Sequence, residues 1–212
     1  MKKILLISLI ATSTFSQTSN IFDPIDVFDL EYVSNTEISP NGDKILYQRN
    51  FNDIMTDESF SNIWLINYDG TNHRPITTGN FKDNSPKWSN KGDKFVFKSN
   101  RGNKSQIFLF DLKNNSIQKL TNFQYSIETV KWSPDDNYIL FSSFIDSKRD
   151  KLINMPEKPK GAKWNNPPVE ISDLNYKYDS SGFRKPGEVQ FFTIPISGGT
   201  PRQVSNIKPE KR

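Results

Sequence analysis

The chain has no cysteine and a single histidine in 212 residues. Without cysteine it can form no disulfide, use no thiol nucleophile and build no Cys-containing metal site. No Cys/His metal spacing, phosphate-binding glycine loop or G-x-S-x-G nucleophile elbow occurs anywhere in it. Long hydrophobic runs are also missing. The longest, residues 4–11, is far too short to span a bilayer, and no stretch keeps helical periodicity with caps at both ends.

That apolar run follows Lys2 and Lys3 and precedes small residues at Thr14 and Ser16. This layout is that of a secretory signal peptide over residues 1–16, with cleavage before Gln17; a buried first strand or helix is the alternative. The expected location is therefore periplasmic or secreted, and a lipid anchor is not expected because no cysteine follows the run. Two of the 28 basic residues leave with the leader, so the formal charge falls from +4 to +2. The remaining charges of both signs are interspersed, which gives a nucleic-acid partner little support.

What the chain does have is turn formers, aromatics (16 Phe, 7 Tyr, 4 Trp) and a repeat. "EISPNGDKILYQR", "KWSNKGDKFVFKS" and "KWSPDDNYILFSS" align on Ser39, Ser89 and Ser133, 50 and 44 residues apart. Turn residues follow each serine, with Gly42, Gly92 and Asp136 where a tight turn needs a positive φ. A strand comes next, then a second ("NIWLIN", "QIFLFD", "QFFTIP") and a last one ("HRPITT", "IQKLTN", "PRQVSN"). Trp64 to Thr77, Phe108 to Thr121 and Phe192 to Ser205 are each 13 residues apart. With the short strand before each serine, every unit has four antiparallel strands.

These strands are apolar on both faces. Phe95 and Phe97 oppose Val96, and Ile107 and Leu109 oppose Phe108 and Phe110. Both faces must be covered, as when four-stranded blades stack side by side. The expected fold class is thus all-β, a partial β-propeller of about three four-stranded antiparallel blades over residues 36–212. Blades fall at about 36–79, 85–123 and 127–206; an immunoglobulin-like sandwich explains the colinear copies poorly. Three blades are too few to close a ring, so the chain is expected to be the amino-terminal piece of a longer protein. Within the lead-in segment 17–35, a short helix is expected near Pro24 with Ile25, Phe28 and Leu30 inward.

Residues 145–187 interrupt the third unit with a proline-rich, aperiodic insertion, expected to be a long ordered loop. It either lines a binding site or covers blade edges with Trp164, Tyr176, Tyr178 and Phe183. Individual candidates for chemistry fare badly. His73 stands at a blade edge where the other copies have Ile117 and Pro201, with no serine or carboxylate marked as its partner. Asp135-Asp136 lies in a turn, "DSSG" at Asp179 lacks the other ligands of a calcium loop, and Trp88 and Trp132 suit packing between blades better than a sugar platform. No catalytic, cofactor-binding or metal-binding residue is assigned, and no cofactor is expected.

"ISPNGDKILYQRNFNDIMTD", "SNIWLINYDGTNHRPITTG", "SPKWSNKGDKFVFKSNR", "MPEKPKGAKW" and "GGTPRQVS" together resemble the start of a secreted prolyl oligopeptidase-family serine peptidase. The nearest branch is acylaminoacyl-peptidase and dipeptidyl-peptidase-like, and the likeness covers residues 28–205. The turn-and-strand repeat is shared with TolB-type periplasmic propellers, whereas "NFNDIMTD" and "MPEKPKGAKW" are more particular to the peptidases. The resemblance implies a propeller covering an α/β-hydrolase domain with a Ser-His-Asp triad, admitting peptides and excluding folded proteins. None of the family's catalytic residues falls on this chain, so hydrolysis would belong beyond Arg212 and the chain alone should be inactive. A TolB-like propeller that binds protein partners, or a carbohydrate-binding one, are the rival expectations.

Overall fold

The computed structural model describes residues 22–102, 104–147, 156–165, 171, 176–179 and 182–207. The expected leader, residues 1–16, lies outside them. A 3₁₀ turn, Pro24–Phe28, opens the described chain. Asp23 caps it by accepting from the Ile25 amide, and Asp26 reaches back to the Asp23 amide.

Three four-stranded antiparallel sheets follow. Blade 1 runs β1 (Tyr32–Ile38), β2 (Lys44–Asp53), β3 (Glu58–Asn67) and β4 (Arg74–Pro75). Blade 2 runs β5 (Asn84–Trp88), β6 (Lys94–Ser99), β7 (Gln106–Asp111) and β8 (Ser116–Lys119). Blade 3 has β9 (Ile127–Trp132) and β10 (Tyr138–Asp146), then a small hairpin, β11 (Lys177–Tyr178) and β12 (Gly182–Phe183). It resumes with β13 (Gly187–Pro195) and β14 (Arg202–Gln203). The chain is an all-β partial propeller in which the first strands of neighbouring blades approach one another, β1 with β5 and β5 with β9.

Each serine turn is built from side chains as well as backbone. Ser39 Oγ donates to Asp43 (2.9 Å) and accepts from the Lys44 amide (2.9 Å). Ser89 does the same with Asp93 (3.0 Å) and the Lys94 amide (3.2 Å). In blade 3, Asn137 replaces that aspartate, and Ser133 turns to Asp135 (2.5 Å) while still accepting from Tyr138 (2.9 Å). Gly42, Gly92 and Asp136 all take positive φ (76°, 71° and 58°), which is why glycine suits the position.

The constant 13-residue spacing also has a cause. Thr77, Thr121 and Ser205 accept through their hydroxyls from the amides of Ile63 (2.9 Å), Ile107 (2.9 Å) and Phe191 (2.8 Å). A side-chain oxygen thus replaces a ladder carbonyl, and the fourth strands end early. They are shorter than the six-residue segments read from sequence.

Packing is directional. The middle blade turns Phe95, Phe97, Phe108 and Phe110 toward Leu46, Ile63 and Leu65 of blade 1. It turns Val96, Ile107 and Leu109 toward Phe141, Phe192, Ile139 and Ile194 of blade 3. At both junctions aliphatic side chains of one blade thus meet phenylalanines of the next, four at the first and two, beside Ile139 and Ile194, at the second, and neither flank of blade 2 is open. Each such side chain contributes roughly 1.5–3 kcal/mol on burial, more than one sheet could gain alone. Cross-strand stacks recur in register at Phe97–Phe108 (5.6 Å) and Phe141–Phe192 (5.4 Å). Trp88 and Trp132 donate their indole N–H across the junctions to the carbonyls of Glu37 (3.1 Å) and Lys87 (2.8 Å).

Two expectations need correction. The lead-in turn does not point its apolar residues inward: Ile25 and Leu30 are exposed, and Phe28 is only half-buried. A 3₁₀ turn of five residues has no face that holds all three, and it is tied to blade 1 by Asn52 Nδ2 donating to Val27 O (2.9 Å). The insertion is also narrower than read, because Ile145 and Asp146 pair with Glu188 and Gly187 as an extension of β10–β13. It holds a hairpin of its own, in which Lys177 pairs with Phe183 and Tyr178 with Gly182.

A candidate functional face

The connections between second and third strands, and those leading into the next blade, leave the sheets at one end of the stack. Here the three units differ most. The β2–β3 hairpin is ten residues long on each side against six for β6–β7, so it projects past blade 2. Its tip exposes Ile54 (53%) and Met55 (86%). The blade 3 insertion leaves from the same end. Trp164, Tyr176, Tyr178 and Phe183 are each about half exposed, so none is packed away as a core side chain. Tyr176 stacks instead on Phe183 (6.3 Å).

Between these two projections lies the short connection of blade 2, with an ion pair beneath it. Asp83 is fully buried, and its Oδ2 accepts from Arg101 Nη2 at 2.6 Å. The guanidinium lies over the Phe81 ring (4.8 Å) and close to Phe108 (5.8 Å). Asp83 Oδ1 and Arg101 Nε are buried without a partner among the described residues. Lys82 and Lys104 are exposed on the flanking loops. Deeper in the second junction, burial pushes the Lys98 amine below its ordinary value, and its Nζ donates to Glu128 O (2.5 Å).

The residues weighed from sequence lie elsewhere. His73 sits on the outer flank of blade 1, where Nε2 meets the Tyr47 hydroxyl and the ring lies 5.0 Å from that of Trp64. Asp135 braces its own turn, and the Ser133 hydroxyl holds its carboxyl below the ordinary value. The Asp136 carboxylate bridges to blade 2 by accepting from the Asn90 (2.8 Å) and Lys91 (3.0 Å) amides. Asp179 is described, but the two serines after it are not. Among the described residues no group of three or more His, Cys, Asp or Glu could hold a metal ion, and no helix is long and apolar enough to cross a membrane.

Sequence reading missed the Asp83–Arg101 pair. A signal was present: aligned on the turn serines, Asp83 and Arg101 fall opposite Ile127 and Ile145 of blade 3.

Comparison with known proteins agrees with this architecture. The sequence pattern of PD40, the TolB beta propeller domain, matches residues 39–161. The chain belongs to that family. Among curated relatives, the "Uncharacterized peptidase YuxL" of Bacillus subtilis is 25% identical over 186 residues, 87% of this chain and 28% of the relative. "Dipeptidyl-peptidase 5" of Porphyromonas gingivalis is 28% identical over 167 residues, 78% of this chain and 24% of the relative. An acylaminoacyl peptidase of Pyrococcus horikoshii superimposes with a TM-score of 0.64 at 19% identity, over 86% of this chain and 26% of that one. This TolB-type propeller therefore spans about a quarter of the length of the peptidases it matches.

Proposed function

We propose that this TolB-type propeller is the amino-terminal portion of an exported serine peptidase, gating the access of peptides to a hydrolase domain. In this reading residues 1–16 are the leader, 17–35 the lead-in and 36–212 the partial propeller with its insertion. The supporting observation is that peptidases align with most of this chain but with only about a quarter of their own length. Physical sense supports it too. A sheet covered on both flanks, as blade 2 is, is held rigid, and a rigid wall with projections at one end can exclude bulky chains while admitting extended ones.

The test is to read and express the gene beyond Arg212. A G-x-S-x-G elbow with a later histidine, in a protein that cleaves short peptides and spares folded ones, is the expected result. Further blades and no hydrolase overturn it in favour of a TolB-like propeller that binds protein partners. Export is checked separately by amino-terminal sequencing of the secreted protein, expected to begin at Gln17.

A further inference from the structure

Asp83 and Arg101 occupy places that an apolar pair fills at the next junction. The Asp83 amide donates to Ser61 O (2.9 Å) just as the Ile127 amide donates to Ser105 O (3.0 Å). Ile127 is 2% exposed in the core between blades 2 and 3, and Ile145 packs against the same core. Between blades 1 and 2 the corresponding residues are a buried carboxylate and a guanidinium. An ion pair in such a place is commonly no more stabilising than well-packed aliphatic side chains. Stability alone therefore gives no reason for the exchange, and sites that break a local rule are where function is sought.

The exchange fixes one arginine at the surface. Nη2 is held by Asp83 (2.6 Å), the ring of Phe81 supports the guanidinium (4.8 Å), and the backbone amide of Arg101 donates to Ser99 Oγ (3.4 Å). The side chain is 24% exposed, and Nη1 has no partner among the described residues. Asp53, an acid of the neighbouring hairpin, already accepts from the Met55 amide and the Thr56 hydroxyl, while Lys82, whose amide donates to Asn100 Oδ1 (2.8 Å), adds an exposed positive charge on the adjoining connection. A guanidinium held rigid beside an aromatic ring, with a free N–H edge, suits a carboxylate.

We propose that Arg101 is a carboxylate-binding residue of this face, positioned by Asp83, and that its ligand is a peptide carboxylate. The inference rests on the reading that peptides pass this face. The carboxylate is either the free carboxyl terminus or an acidic side chain.

The test compares three labelled peptides of one sequence, binding to the full-length protein: carboxyl-terminal acid, carboxyl-terminal amide, and an amide carrying one internal aspartate. At least one carboxylate peptide should bind about tenfold or more tighter than the plain amide, as expected for a charge-assisted hydrogen bond. The acid and the aspartate peptide distinguish the two sources. R101Q should abolish that ratio, and R101K should reduce it because lysine lacks the planar fork. Since R101Q leaves a buried carboxylate unpaired, the decisive variant is the double change Asp83→Ile with Arg101→Ile, which copies the chemistry of the other junction. It should keep its unfolding temperature and lose the ratio. A ratio that survives in the double variant overturns the proposal, as does equal binding of all three peptides to the parent protein. Carboxylate-selective binding without cleavage would instead sustain the site and defeat the peptidase reading. Cleavage indifferent to R101Q and to carboxylates would do the reverse.

Discussion

Replacing Thr121 by valine isolates what fixes the repeat spacing. Thr121 is 2% exposed, and its hydroxyl accepts from the Ile107 amide (2.9 Å) and donates to Gln106 Oε1 (2.9 Å). Valine fills the same volume without hydrogen bonding. The Ile107 amide is then buried without an acceptor, which costs about 1–3 kcal/mol. Gln106 Oε1 still accepts from the Phe123 amide (2.7 Å), so its loss is at the small end, about 0.5–1 kcal/mol. The expected destabilisation is about 1.5–4 kcal/mol in urea unfolding, with roughly 10- to 1,000-fold faster hydrogen exchange at the Ile107 amide. Serine, which blade 3 uses at Ser205, keeps both bonds and loses only a methyl, about 1 kcal/mol. Valine within about 0.5 kcal/mol of the parent, or serine as damaging as valine, would refute the reasoning.

Other perturbations follow from the same contacts. Gly187 stands at the base of the insertion with φ +151°, where a Cβ would collide with the Ile145 carbonyl oxygen and lie 2.7 Å from Phe144 Cζ; Gly187→Ala should destabilise by a few kcal/mol, seen as a lowered urea midpoint. Trp132→Phe removes the indole bond to Lys87 O (2.8 Å) and should cost about 1–2 kcal/mol, whereas Trp164→Phe, at a half-exposed insertion residue, should cost almost nothing. Hydrogen bonds from Lys94 and Ser89 hold the Asp93 carboxyl below its ordinary value, and those from Lys44 and Ser39 do the same for Asp43. In acid the unfolded chain then takes up protons that the folded chain refuses. The stability these turns provide is full above the ordinary carboxylate range and lost as pH falls through the lowered values; thermal unfolding from pH 6 to 2 should show this, with a shallower slope in Asp93→Asn. Leu109→Phe sets an aromatic against Phe192 and should overpack by about 1–3 kcal/mol; adding Phe192→Leu should recover at least about 0.5 kcal/mol, and strict additivity in that cycle would sink the directional packing rule.

The repeat was legible because its signals are local. Ser39, Ser89 and Ser133 each close a turn within five residues, and strands apolar on both sides announce that both flanks are covered. The lead-in was misread because apolar residues at Ile25, Phe28 and Leu30 imply a buried stripe only if a helix long enough to carry one forms there. The extension of β10 and β13 past Phe144 was missed because Asp146 and Gly187 look like loop residues. Their pairing is set by strands some forty positions apart, not by local propensity. The Asp83–Arg101 pair joins residues on different connections, and neither is unusual alone. Only the alignment of the three units makes an aspartate opposite Ile127 conspicuous.

That comparison carries further than any single motif. Where the units agree, at the serine turns, the hydroxyl pins and the packing of aliphatic side chains against phenylalanines, the agreement builds a wall whose geometry hardly depends on what the wall encloses. Departures from the common pattern are free of that duty. The long β2–β3 hairpin, the Asp83–Arg101 substitution and the blade 3 insertion all fall at the same end of the stack, while the opposite end keeps the serine turn in every unit. Three independent departures at one end are hard to attribute to stability, since each replaces a packed or closed arrangement with exposed apolar tips, a buried charge or a long loop. Recognition is the use that fits them together, because a ligand approaching that end would meet projecting apolar side chains on two sides and a fixed guanidinium between them.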